Sequence, residues 1–151
     1  MNAEAAVAAS PYLATLPELG GAIVKSLAIS PDEQLLAAGE QPSLDNSQQS
    51  SIQLWDVAQR KKITEFTGIG GIPSQVAFSP DGSTLAAVVL NLKGNLRFWN
   101  VATHRALPDP VRQRILVTAI AYSPDGRMLA VGGFCRNTAP ASGFQRPSTW
   151  A

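Results

Sequence analysis

Gln75-Val76-Ala77-Phe78-Ser79-Pro80-Asp81-Gly82-Ser83-Thr84-Leu85-Ala86-Ala87-Val88 reads as a strand, a tight turn and a second strand. Val76 and Phe78 alternate with smaller residues, the period-two pattern of a strand with one buried face. Pro80 presets φ for the second position of a type I turn and Ser79 suits the first. Gly82 can take the left-handed conformation that closes such a hairpin with a bulge. The apolar run from Leu85 to Leu90 reads as a buried strand.

The same unit occurs three times. Its other turns are Ser30-Pro31-Asp32-Glu33 and Ser123-Pro124-Asp125-Gly126. Glu33 stands where the other copies have glycine, so the first turn either strains a non-glycine residue or takes another shape. Upstream, Tyr12-Leu13-Ala14-Thr15-Leu16 suits a short edge strand ended by Pro17, and Gly20-Gly21 marks a turn. The first unit then runs from Ile23 to Ser30, turns, and continues through Leu35–Gly39.

The polar stretch from Glu40 to Ser51 has the composition of an exposed loop. Ile52 to Val57 is a third strand, Gln59-Arg60-Lys61 a turn, and Ile63 to Phe66 a more polar fourth strand fit for a sheet edge. Gly68, Gly70 and Gly71 lead into the second unit. Its third strand is Asn95 to Val101, and its weak fourth, near Arg105–Leu107, is stopped by Pro108 and Pro110. The third unit has Val117 to Tyr122 and Met128 to Gly132, after which apolar alternation stops.

The spacing is regular. The turn aspartates Asp32, Asp81 and Asp125 lie 49 and 44 residues apart, and Trp55 and Trp99 lie 44 apart. Ala38 to Ile52 is 14 steps against 9 from Ala87 to Leu96, so five extra loop residues account for the longer first period.

A period near 44, four short strands per unit, the recurrent Ser-Pro-Asp turn and the closing Trp55-Asp56 and Trp99-Asn100 resemble the WD-repeat β-propeller family over roughly Gly20 to Gly132. The family's Gly-His is Gly20-Gly21 and Gly70-Gly71 here, and its aspartate between second and third strands has no counterpart at Lys93-Gly94. The family's buried hydrogen-bond network is therefore not carried over, and Trp55 and Trp99 are read as packing residues.

The expected fold is all-β: an incomplete β-propeller of four-stranded antiparallel blades, two full and half of a third. A tail over 1–11, a partial propeller over 12–133 and an off-pattern, disordered tail over 134–151 are the expected divisions. A ring needs about four to eight blades. An open arc leaves two sheet faces without a neighbour, which predicts marginal stability, self-association or dependence on a missing remainder.

Composition narrows the function. Lys+Arg 12 against Asp+Glu 11 gives a net charge of +1, so no strong field favours nucleic acid or anionic lipid. A membrane span needs roughly 20 apolar residues, and no such window exists. Cys135 is the single cysteine, which excludes an internal disulfide. With no basic, apolar leader at the N-terminus, a cytoplasmic location is the expectation.

Catalysis has little to work with. His104, the one histidine, falls in a turn with no Ser, Cys or carboxylate placed to pair with it. One Cys and one His give no metal-ligand spacing, and Gly68-Ile69-Gly70-Gly71 lacks the Lys-Ser/Thr and helix of a phosphate cradle. No catalytic, cofactor-binding or metal-binding residue is expected, and no cofactor. The inserted loop remains, because insertions in repeat proteins map to one face and are often binding surfaces. Gln41, Leu44, Asp45, Asn46 and Gln48 are its candidate contacts with a protein partner. The reading is a non-catalytic protein-interaction scaffold, a fragment of a larger propeller. Its alternatives are a truncated, non-functional remnant and a propeller-type enzyme fragment.

Overall fold

The computed structural model describes residues 22–42, 49–91, 95–108 and 115–135. Its strands are β1 (Ile23–Ile29), β2 (Leu35–Gln41), β3 (Ser51–Asp56), β4 (Lys61–Phe66), β5 (Ile72–Phe78), β6 (Thr84–Leu90), β7 (Asn95–Asn100), β8 (Arg105–Leu107), β9 (Ile115–Tyr122) and β10 (Leu129–Cys135). They form two four-stranded sheets, β1-β2-β3-β4 and β5-β6-β7-β8, and a two-stranded sheet, β9-β10. Every pairing is antiparallel. The described residues are thus all-β, as two full blades and half of a third, unclosed.

Several strand boundaries differ from expectation; β4, for one, begins at Lys61, expected in the preceding turn. The third strands end at Asp56 and Asn100, because Val57 and Val101 hydrogen-bond back to Gln34 and Ser83 as part of the turns. Glu40 and Ser51, expected at the ends of an exposed loop, are buried strand residues paired in register. The ladder there continues past the last apolar residue of each strand. β10 runs through Phe134 to Cys135, beyond Gly132, because Gly133 still pairs with Val117. The expected edge strand at Tyr12–Leu16 and the tail from Arg136 lie outside the described residues.

The sheets stack face to face with a core between each pair. Each inner hairpin presents an alanine pair forward: Ala28–Ala37, Ala77–Ala86 and Ala121–Ala130. Each presents larger pairs to the rear: Leu27–Ala38 with Ile29–Leu36, Val76–Ala87 with Phe78–Leu85, and Ile120–Val131 with Tyr122–Leu129. The first core sets Val76, Phe78, Leu85 and Trp99 against Ala28, Ala37, Leu54 and Phe66. The second sets Ile120, Tyr122, Leu129 and Val131 against Ala77, Ala86, Val88 and Phe98. Burying branched and aromatic side chains against small ones gains about 1.5–3 kcal/mol per large residue. It also lets adjacent sheets approach closely.

Two side chains on inner strands tie each sheet to the next. Ser26 Oγ donates to the Pro73 carbonyl at 3.1 Å. Gln75 both donates to the Ile120 carbonyl at 2.8 Å and accepts from the Ile120 N–H at 2.9 Å. Every inner hairpin also carries an irregularity at the same place, around Lys25, Ser74 and Thr118. Such bulges sharpen local twist.

Candidate functional site

An antiparallel meander puts alternate connections at opposite ends of a sheet. The β1–β2 and β3–β4 turns therefore share one end. The inserted β2–β3 connection and the Gly68–Gly71 connection share the other. Of the candidate loop residues, Gln41 closes β2 and is half-buried. Leu44, Asp45, Asn46 and Gln48 lie outside the described residues.

At the turn end the three Ser-Pro-Asp motifs repeat one construction. Ser30 Oγ donates to Asp32 Oδ1 at 2.5 Å and accepts from the Leu35 N–H at 2.8 Å. Ser79 does the same with Asp81 (2.5 Å) and Thr84 (3.0 Å), and Ser123 with Asp125 (2.6 Å) and Met128 (3.0 Å). The serine hydroxyl beside each aspartate, and then the N–H of Gln34, Ser83 or Arg127, hold all three carboxyls below their ordinary value. Hydrogen bonds to the charged form favour it. The aspartates are thus charged turn caps, as the sequence indicates.

Glycine closes two of these turns, with φ of 72° at Gly82 and 70° at Gly126. Glu33 takes φ of 61° in the first, so the strained alternative is the one adopted. A Cβ on Gly82 would touch Pro31 at 3.8 Å and one on Gly126 would touch Pro80 at 3.5 Å. The turns are therefore stepped one upon the next. Between the first two lies an open cleft of about 500 Å3, bounded by Pro31, Asp32, Leu35, Pro80, Asp81 and Val101.

The β3–β4 and β7–β8 turns show what the residue after each tryptophan does. Asp56 Oδ1 accepts the Gln59 N–H at 2.6 Å, and Asn100 Oδ1 accepts the Thr103 N–H at 2.8 Å. Arg60 and His104 then take left-handed φ of 54° and 57°. His104 is an exposed turn residue, as expected. Among the described residues no cluster of three or more His, Cys, Asp or Glu could hold a metal ion.

The tryptophans are packing residues. Trp99 fills the first core, its ring 5.1 Å from that of Phe66 and tilted by 30°. Trp55 lies on the rear face of the first sheet, 1% exposed, and its Nε1 has no hydrogen-bond partner among the described residues.

One polar pair escapes sequence reading. On the same rear face Gln53 Nε2 donates to Glu40 Oε2 at 2.9 Å, both residues buried. Glu40 Oε1 and Gln53 Oε1 have no partner among the described residues. Burial, and then the nearby Glu65 carboxylate, push the Glu40 carboxyl up to about 7, with Lys62 acting in the opposite sense. The available signal was positional: Gln53 stands two residues before Trp55, on the same face of β3. The inter-sheet bonds of Ser26 and Gln75 had no sequence signal at all.

The family model described as WD domain, G-beta repeat, matches residues 12–56 and 112–137. No curated protein matches the chain. The two matches flank the second blade, whose strand order and turn bonds repeat those of the first. Proteins of this kind generally serve as non-catalytic scaffolds that bind other proteins. The recurrent turns, the four-stranded meanders and these two matches together support a partial WD-repeat family, with the described blades unclosed.

Proposed function

We propose that this chain is a non-catalytic protein–protein interaction scaffold, a portion of a larger propeller. In this reading it holds the inserted β2–β3 connection, with Gln41, Leu44, Asp45, Asn46 and Gln48, against a protein partner. The observation that supports it most is the anchoring of that connection. Its two ends emerge from Glu40 and Ser51, both buried and paired in register. A loop rooted in a packed sheet displays its tip at lower entropic cost than a free segment would.

The test is deletion of residues 43–48, which leaves the buried strand ends intact. A partner isolated with the whole chain, then purified, is titrated against both forms. Loss of binding on deletion, with an unchanged circular dichroism spectrum, supports the loop; unchanged affinity removes it from the proposal. Turnover of any substrate by a His104→Ala variant would instead favour the enzyme reading, through carboxylates with no catalytic role here.

A further inference from the structure

The first sheet's rear face and the third sheet's front face have no neighbouring sheet among the described residues. We infer that these faces bind one another between copies of this chain, head to tail, with Leu27 and Ile29 of one copy seated over the Ala121–Ala130 pair of the next. The inference concerns this 151-residue chain by itself; in the larger propeller proposed above, neighbouring blades would take both places, and the inserted loop is not involved.

The chain makes this contact twice within itself. Val76 and Phe78 cover Ala28 and Ala37, and both are buried, 4% and 8% exposed. Ile120 and Tyr122 cover Ala77 and Ala86 in the same way. Leu27 and Ile29 occupy the equivalent rear positions in the first sheet, yet they are 59% and 62% exposed. Ala121 and Ala130 occupy the equivalent front positions in the third sheet and are also exposed. One end offers large apolar side chains without a small surface, and the other a small surface without large side chains. β9 and β10 contain no charged residue, so these two strands bring no charge to the front face.

The contact falls on the inner hairpin. Within that hairpin it falls on β1, because Ala38 and Glu40 of β2, like Gln53 and Trp55 of β3 on the same rear face, are buried already. It is also weaker than its internal models. Ala119 stands where Ser26 and Gln75 reach across to the next sheet, and alanine has no hydrogen bond to give. The interface is heterologous: one patch binds a different patch, so the contact has a direction.

That direction supplies the test. Ile29→Asp spoils the rear face and Ala130→Glu the front face, both at exposed positions and with like charge, so the two spoiled faces cannot pair with each other. Sedimentation velocity of the full chain over roughly a hundredfold concentration range reads the outcome by mass action. The wild type is expected to grow in size with concentration, each variant alone to stay monomeric, and an equimolar mixture of the two to form a dimer and nothing larger. In that mixture one intact rear face meets one intact front face.

A wild type that stays monomeric overturns the inference. So does association that either variant leaves unchanged, or a mixture that stays monomeric although the wild type associates. Leu27→Glu with Ala121→Glu repeats the experiment at neighbouring positions, and circular dichroism checks the fold of all four. Loop-partner affinity, measured on the same variants, is expected to remain that of the wild type. Failure here is therefore separate from failure of the scaffold reading.

Discussion

Raising the pH should destabilise the first blade through a single carboxyl. Glu40 is 4% exposed, receives one hydrogen bond from Gln53, and has Glu65 nearby. Its carboxyl is held at about 7 against an ordinary 4.5. Below the ordinary value it is neutral in folded and unfolded chains alike, and its burial carries no charge penalty. Between the two values the folded chain keeps a proton that the unfolded chain has released.

Above about 7 both forms are charged, and the folded state bears the full cost. At about 1.4 kcal/mol per pH unit, this difference amounts to about 3 kcal/mol. That is a large share of the 5–15 kcal/mol typical of a folded domain. The neutral acid also has an O–H to offer, which the carboxylate lacks, and the unpartnered Gln53 Oε1 is an acceptor in the same pair. Glu40→Gln keeps an amide donor and acceptor there and removes the titration.

Urea denaturation followed by far-ultraviolet circular dichroism, from about pH 5 to about pH 8, reads the effect. The wild type should lose up to about 3 kcal/mol across that range, while the Glu40→Gln variant stays level and exceeds the wild type at the upper end. A wild-type curve that is flat or rising, or a Glu40→Gln curve that falls in parallel with it, would refute the reasoning.

Other expectations follow from the turns and the core. Ser79→Ala removes the donor to Asp81 and the acceptor for the Thr84 N–H; it should cost about 1–3 kcal/mol in urea denaturation, with the Asp81 carboxyl returning toward its ordinary value by NMR titration. Glu33→Gly relieves a left-handed residue and should raise stability by about 0.5–1 kcal/mol, read as a higher melting temperature. Trp99→Ala empties the junction with Phe66 and should cost about 3–5 kcal/mol. Asp32, Asp81 and Asp125 are held low. The stability they contribute is present above the ordinary carboxylate range and lost as pH falls through their folded values. An acid titration of the variant with all three changed to asparagine should therefore be shallower than that of the wild type.

The inner hairpins were legible in the sequence because turn chemistry and alternation coincide there. Ser79, Pro80, Asp81 and Gly82 each satisfy a separate local requirement, and the next strand begins where they predict. Strand ends were less legible. Glu40 and Ser51 look like loop residues by composition, but they are buried partners in the β2–β3 ladder, and composition carries no register. Gly132 and Gly133 have no side chains to alternate, so the last strand extends past the point where its pattern fades. The candidate loop was found by counting an insertion, a method that locates a surface and says nothing of its chemistry. The Glu40–Gln53 pair depends on register between residues 13 apart, which no local pattern encodes.

The two core indoles give the chain its own optical reporters. Trp99 leans on Phe66 at the first blade junction, whereas Trp55 sits on the opposite side of the first blade with an indole N–H that no described residue accepts. An indole shielded from water and without a hydrogen bond emits at short wavelength, and it shifts to the red as soon as solvent reaches it. With Trp150 and one of the two replaced by Phe, the colour of the remaining emission reports on a single side of the first blade. Separation of the blades and exposure of the rear face then become two distinguishable signals from one unlabelled molecule.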